Sequence, residues 1–197
     1  FYILFVLCIL NNVKLKAQDI HFSQMFETPL LRNPALAGIF SGDIRIQSVY
    51  RSQYNAVANA YQTASANIEY KMPLGNSNDF ITVGGEVMYD KAGTVALTST
   101  HILPTINYHK SLSSERNMYL SMGAMGGWVQ RRVDRGKMTT NSQFNGNVYN
   151  GGMNNGETFP NAAYSYFDGS VGMSFNSQVG LLAENNIYLG LAYHHFN

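Results

Sequence analysis

From Ala60 to Met72 the chain reads AYQTASANIEYKM, and its side chains sort by parity. Ala64, Ala66, Ile68, Tyr70 and Met72 fall on one face, and Thr63, Ser65, Asn67, Glu69 and Lys71 fall on the other. An extended strand with one apolar and one polar face produces this pattern, whereas a helix would repeat its faces every ~3.6 residues. After the turn PLGNSN the alternation returns in DFITVGGEVMYD, with Ile81, Val83, Gly85, Val87 and Tyr89 against Thr82, Gly84, Glu86, Met88 and Asp90. Two such runs joined by a turn-rich linker predict a β-hairpin.

The device recurs along the chain. DIRIQSVYR sets Ile44, Ile46 and Tyr50 opposite Arg45, Gln47 and Arg51, and NMYLSMGAMGGWVQRR sets Met118, Leu120, Met122, Ala124 and Trp128 opposite Asn117, Ser121 and Gly123. YFDGSVGMSFN sets Phe167, Val171, Met173 and Phe175 against Asp168, Ser170, Ser174 and Asn176, and NIYLGLAYHHF closes the series. Between Thr94 and Lys110 the pattern blurs around Pro104, which predicts one long, irregular strand, because proline cannot donate to a ladder.

Alternation does not say which face points inward; charge does. Charged residues are only 13% of the chain, against roughly 25% in an ordinary soluble domain. The polar face is mostly Ser, Thr, Asn, Gly and Gln, which suits a wet lumen, and the apolar face is then the one that meets lipid. Strands longer than the usual 5 to 6 residues suit a bilayer crossing, and Tyr70 and Tyr89 sit near opposite ends of adjacent strands, as interfacial girdles require. The predicted fold class is all-β, an antiparallel transmembrane β-barrel. The net charge of +1 gives no field that would argue for nucleic acid.

The N-terminal run FYILFVLCIL is too short to span a bilayer, which takes about 20 residues, and has the length of a signal-peptide core. Leu15 and Ala17 supply a cleavage pair before Gln18, so residues 1–17 are predicted to be a signal peptide whose true start is missing. Cys8, the single cysteine, lies inside it. The mature chain is then cysteine-free, which excludes a disulfide scaffold or a thiolate metal site.

Residues 18–42 carry the X-Pro steps Thr28-Pro29 and Asn33-Pro34 and no clean period; they are predicted to be a periplasmic entry segment that serves as a plug or as a docking element. Residues 43–197 are predicted to form a partial barrel of about seven strands. Connections 73–79, 111–116 and 177–185 fall on the periplasmic side and the long segment 132–163 outside, with DKAG an unusually short outer turn. An odd strand count disagrees with the even number normal for single-chain bacterial barrels, so further C-terminal strands are expected.

Chemistry is sparse. GxSxG, HExxH, a P-loop and a dinucleotide fingerprint are all missing, so no catalytic residue, cofactor or metal is predicted. His194 and His195 are adjacent and on a strand would point to opposite faces; His101 and His109 share parity but lie about 26 Å apart at ~3.3 Å per residue. The outer segment begins with Arg131, Arg132, Arg135 and Lys137 and continues Asn- and Gly-rich with Phe144, Tyr149 and Phe159. It reads either as a loop rich in turn-forming Asn or as an external contact surface carried by Arg135, Lys137, Phe144, Tyr149 and Phe159.

The stretch QDIHFSQMFETPLLRNPALAG then acquires meaning. Gln18, Asp19, His21, Phe22, Ser23 and Gln24, followed by Asn33, Pro34, Ala35 and Gly38, resemble the N-terminal signature of the PorP/SprF family, with Ile20 where that family usually has Pro. VYRSQY, YFDGSVGMSF and YLGLAYHHFN resemble its later strands in order. The resemblance implies an outer-membrane barrel of about fourteen strands belonging to the type IX secretion and gliding apparatus of Bacteroidota. It also implies a non-enzymatic role that couples periplasmic ring proteins or a large secreted adhesin to the outer membrane, with the signature residues as a docking element or an inert plug. A general diffusion porin is the alternative.

Overall fold

The computed structural model describes residues 22, 25–54, 61–75, 78–93, 96–115, 117–138, 140–144, 146–153, 156, 161–180 and 185–196. The predicted signal segment 1–17 lies outside the described residues, as do Gln18, Asp19, His21, Ser23, Gln24 and Phe159.

Seven strands form one sheet in strict sequence order: β1 (Ile44–Gln53), β2 (Tyr61–Pro73), β3 (Phe80–Ala92), β4 (Leu97–Ser113), β5 (Met118–Arg132), β6 (Ala163–Gln178) and β7 (Asn186–His194). Every neighbouring pair is antiparallel. The sheet curls into a half-barrel whose two edges are β1 and β7. Connections 74–79, 114–117 and 179–185 lie at one end, and 54–60, 93–96 and 133–162 at the other. Between β3 and β4, Gly93 and Ala96 both take left-handed backbone, at φ 69° and 47°, and Ala96 N donates to Gly93 O at 3.2 Å.

Parity assigns the faces as the alternation predicts. On β2, Thr63, Ser65, Asn67 and Glu69 are buried on the concave face, while Ile68 is 54% and Tyr70 46% exposed on the convex one. Exposed Ile44, Ile46, Val87, Ile102, Ile106, Met122, Val171 and Leu191 continue the apolar convex surface across the sheet. Such an inside-out arrangement is stable where the outer surface meets lipid and the inner one meets polar partners. Among the described residues no helix is long and apolar enough to cross a membrane, which has no bearing on crossing by strands.

β4 is a single strand of 17 residues. It keeps unbroken register with β3, Pro104 standing opposite Gly85. Irregularity is confined to its other side, where the ladder to β5 skips Leu103 and Pro104 and shifts again between Ser111 and Ser113. Gly126 and Gly127 lie across from that gap. A Cβ on Gly127 would overlap the Ile102 carbonyl oxygen and come within 3.0 Å of Pro104 Cδ. A proline is tolerated in an interior strand here because its neighbour is stripped to backbone.

His195 departs from the strand-parity expectation. β7 ends at His194, and His195 takes φ 61°, so its ring is not thrown to the opposite face. Both rings turn toward β6: His194 Nδ1 lies 3.0 Å from Ser170 Oγ and His195 Nδ1 lies 2.5 Å from Asp168 Oδ2.

Candidate functional site: a plug seated on the concave face

The irregular N-terminal segment folds as three short turns: a 3-10 turn at Met25–Glu27, the single-turn helix α1 (Pro29–Arg32) and a second 3-10 turn at Pro34–Leu36. Its prolines explain the sequence of turns. Pro29 and Pro34 each open a turn, where the missing N–H would have had no intrahelical partner. Asn33 sits between them in extended backbone, and its side-chain Oδ1 accepts from Ala35 N at 2.8 Å, capping the second turn.

The second turn packs against β4, β5, β6 and β7. Asn33 Nδ2 donates to the carbonyls of Met173 (3.1 Å) and Leu191 (3.3 Å), spanning the β6–β7 seam. Asn107 Nδ2 donates to the carbonyls of Ala35 and Ala37, both at 2.8 Å. Ser174 Oγ donates to Ala35 O at 3.1 Å. Gly38 N donates to Glu69 Oε2 at 2.8 Å, and Arg45 Nη2 holds Glu69 Oε1 at 2.6 Å. This part of the concave polar face receives a peptide backbone: Asn33, Asn107, Ser174 and Glu69 each meet a carbonyl or N–H across the plug–wall contact.

His109 shows the same logic at the level of tautomer. Its Nε2 lies 2.6 Å from Ala37 O, which can only accept, so Nε2 carries the proton. Nδ1 then accepts from Ser121 Oγ at 2.6 Å. Phe80 stacks on this ring at 4.0 Å, and Lys71 donates to Phe40 O while lying 4.2 Å over the Phe40 ring, with Arg45 4.8 Å from the same ring.

Glycine makes room for the plug. A Cβ at Gly123 would stand 2.5 Å from Pro34 O, and one at Gly172 would overlap Asn33 Oδ1. Gly38, at φ 85°, needs its missing Cβ twice, for the left-handed backbone and because a Cβ would overlap Thr82 Oγ1 and lie 2.9 Å from His109 Nε2. Apolar packing completes the seat: Leu30 and Ala37 bury themselves against Met88, Leu103 and Met125, with Leu31 at the rim. Burial of a leucine side chain stabilises by roughly 1.5–3 kcal/mol.

From the family-like signature the structure thus seats Asn33, Pro34, Ala35 and Gly38 together on the concave face, and Phe22 is buried. The residues that receive them, Glu69, Asn107, His109, Ser174 and the wall glycines Gly123 and Gly172, were not assigned to a site from sequence. Glycines on the polar parity of strands were the available signal, since an interior strand glycine marks close backbone approach.

The long connection is locally folded around another residue missed from sequence, Gln143. Its Oε1 accepts from Thr140 N (3.1 Å), its Nε2 donates to Met153 O (3.0 Å), and its carbonyl accepts from Asn150 N (2.9 Å). Phe144 and Tyr149 form an antiparallel bridge with both rings about half exposed. Arg135 heads a 3-10 turn, and Lys137 pairs with Asp134 at 3.5 Å. Among the described residues no group of three or more His, Cys, Asp or Glu side chains is arranged to hold a metal ion.

A curved antiparallel sheet, apolar on its convex face and polar on its concave face, with the N-terminal segment seated in the concavity, defines an all-β half-barrel architecture. The family model described as type IX secretion system membrane protein PorP/SprF matches residues 14–197. The chain belongs to that family and is a type IX secretion membrane component. The family is one of secretion-system membrane components and is not known as a family of enzymes. No curated protein and no solved structure matches the chain significantly.

Proposed function

We propose that this protein is a non-enzymatic outer-membrane component that couples periplasmic machinery of the type IX system, or a large secreted adhesin, to the membrane, and that its lumen is sealed. The observation that carries the reading is the plug: Asn107, His109, Ser174 and Glu69 all engage the backbone of Ala35, Ala37 and Gly38. A wall committed to its own chain has little left to line a solute path. The partners are then engaged at the ends of the barrel, through the short turns on the periplasmic side and through the 133–162 connection outside.

The sheet is, in this reading, one arc of a larger closed barrel. β1 and β7 run in the same direction, because each of the intervening pairs is antiparallel. An antiparallel closure between them therefore takes an odd number of additional strands, which gives an even total as bacterial barrels have.

Affinity purification of the detergent-solubilised full-length protein tests the coupling role. Recovery of periplasmic ring proteins or a surface adhesin supports it, and recovery of neither contradicts it. The diffusion-porin alternative requires an open lumen and a large steady conductance.

A further inference from the structure

Gln47, Asn67 and Glu86 form one row across the concave face, since Gln47 pairs with Asn67 on β1–β2 and Asn67 with Glu86 on β2–β3. Side chains so paired have Cβ atoms roughly 4.5–5.5 Å apart. Each presents one buried oxygen with no hydrogen-bond partner: Gln47 Oε1, Asn67 Oδ1 and Glu86 Oε2. Asn67 is 4% and Glu86 1% exposed, so these are deeply buried acceptors.

The unmet need of the row is for positive charge or donors only. Glu86 Oε1 is already satisfied by Ser65 Oγ at 2.6 Å, leaving Oε2 free. Gln47 Nε2 donates to Glu27 Oε2 at 2.8 Å, which fixes its amide orientation, because the reversed amide would set oxygen against carboxylate. Arg45 is committed to Glu69. An ionised carboxylate beside two amide oxygens in a buried setting is costly unless a cation or donor meets it.

We propose that this row is a binding site for a hard, oxygen-seeking cation of the calcium type, held by the Glu86 carboxylate and the Gln47 and Asn67 amide oxygens with water completing its shell. One carboxylate, amide carbonyls and water belong to the usual calcium ligand set, and the flexible geometry of calcium suits a sheet-borne row better than the strict octahedron of magnesium. The site lies under the first turn of the plug, next to Glu27, so an ion there strengthens the wall on which the plug rests.

Radiolabelled calcium uptake and urea unfolding of the refolded full-length protein in detergent test the proposal. The expected result is one ion bound per chain, and an unfolding equilibrium displaced about 100-fold toward the folded state at calcium about 100 times the dissociation constant. Glu86→Gln, which retains the acceptor for Ser65, should lose both effects, whereas Asp134→Asn in the distant loop should keep both. Sodium at equal ionic strength gives the electrostatic background. Calcium-independent unfolding of the wild type, or equal uptake by Glu86→Gln, overturns the proposal; the row is then closed internally by a turned Asn67 amide or by water.

Discussion

The side chain of Asn33 occupies the space that a Cβ on Gly172 would need, while its Nδ2 donates to the carbonyl of the adjacent Met173. Plug and wall are fitted atom to atom at this point, so adding one methyl group to the wall tests the fit. Gly172→Ala should destabilise the seated plug by about 1–3 kcal/mol, the usual cost of overpacking. The measurement is protease sensitivity of residues 25–38 in detergent-solubilised protein; unchanged protection would contradict the seating.

Removal of donors should act in the same direction through a different mechanism. Asn107→Leu deletes two buried hydrogen bonds, while Ala35 O keeps Ser174 Oγ and Ala37 O keeps His109 Nε2 as donors. The expected loss is about 0.5–1.5 kcal/mol per deleted hydrogen bond, read as a lowered urea midpoint in lipid vesicles. Leu30→Ala, on the apolar side of the same seat, should cost about 2–5 kcal/mol, and the two effects should couple if the plug leaves as a unit.

The strand architecture was legible in the sequence because alternation is a local property. Ile68 against Glu69, or Met122 against Ser121, declares its face within two residues, and scarcity of charge declares which face is outside. The seating of the plug was not legible, because Asn33 meets Met173 and Leu191, and Asn107 meets Ala35, across separations that no local pattern spans. Met88, Leu103 and Met125 lie on the polar parity and disturb the alternation, yet they form the apolar seat for Leu30. The blurred stretch around Pro104 is accommodated by Gly126 and Gly127, which lie across from it on the next strand.

That pairing yields a contrast between adjacent glycines. Gly127→Ala drives a methyl into the Ile102 carbonyl, whereas the nearest neighbour to a Cβ on Gly126 is Asp168 O at 3.3 Å. Gly127→Ala should abolish or severely reduce recovery of folded, heat-modifiable protein, and Gly126→Ala should cost about 1 kcal/mol or less. Equal recovery of the two variants would contradict the packing around Pro104.

Asp79, in the turn that precedes β3, sets an acid limit on stability. It accepts from Lys110 Nζ (2.7 Å), Ser111 N (2.9 Å) and Tyr108 Oη (3.1 Å). The Lys110 bond, followed by the Ser111 N–H, lowers its carboxyl from the ordinary value to about 2. A depressed folded-state value means that the stabilisation is fully present above the unfolded value near 4 and is lost as pH falls from there to about 2. Asp79→Asn should remove that part of the acid dependence; an unchanged slope of unfolding midpoint against pH in this window would refute the assignment.

Planar-bilayer conductance of the full-length protein tests whether the N-terminal segment closes the lumen. The intact protein should give little steady current, and Asn107→Leu combined with Gly172→Ala, which loosens the plug while keeping it attached, should give frequent long-lived openings. Large, stable conductance steps from the intact protein, unchanged in the double variant, would contradict a sealed lumen and return the protein to the class of open channels.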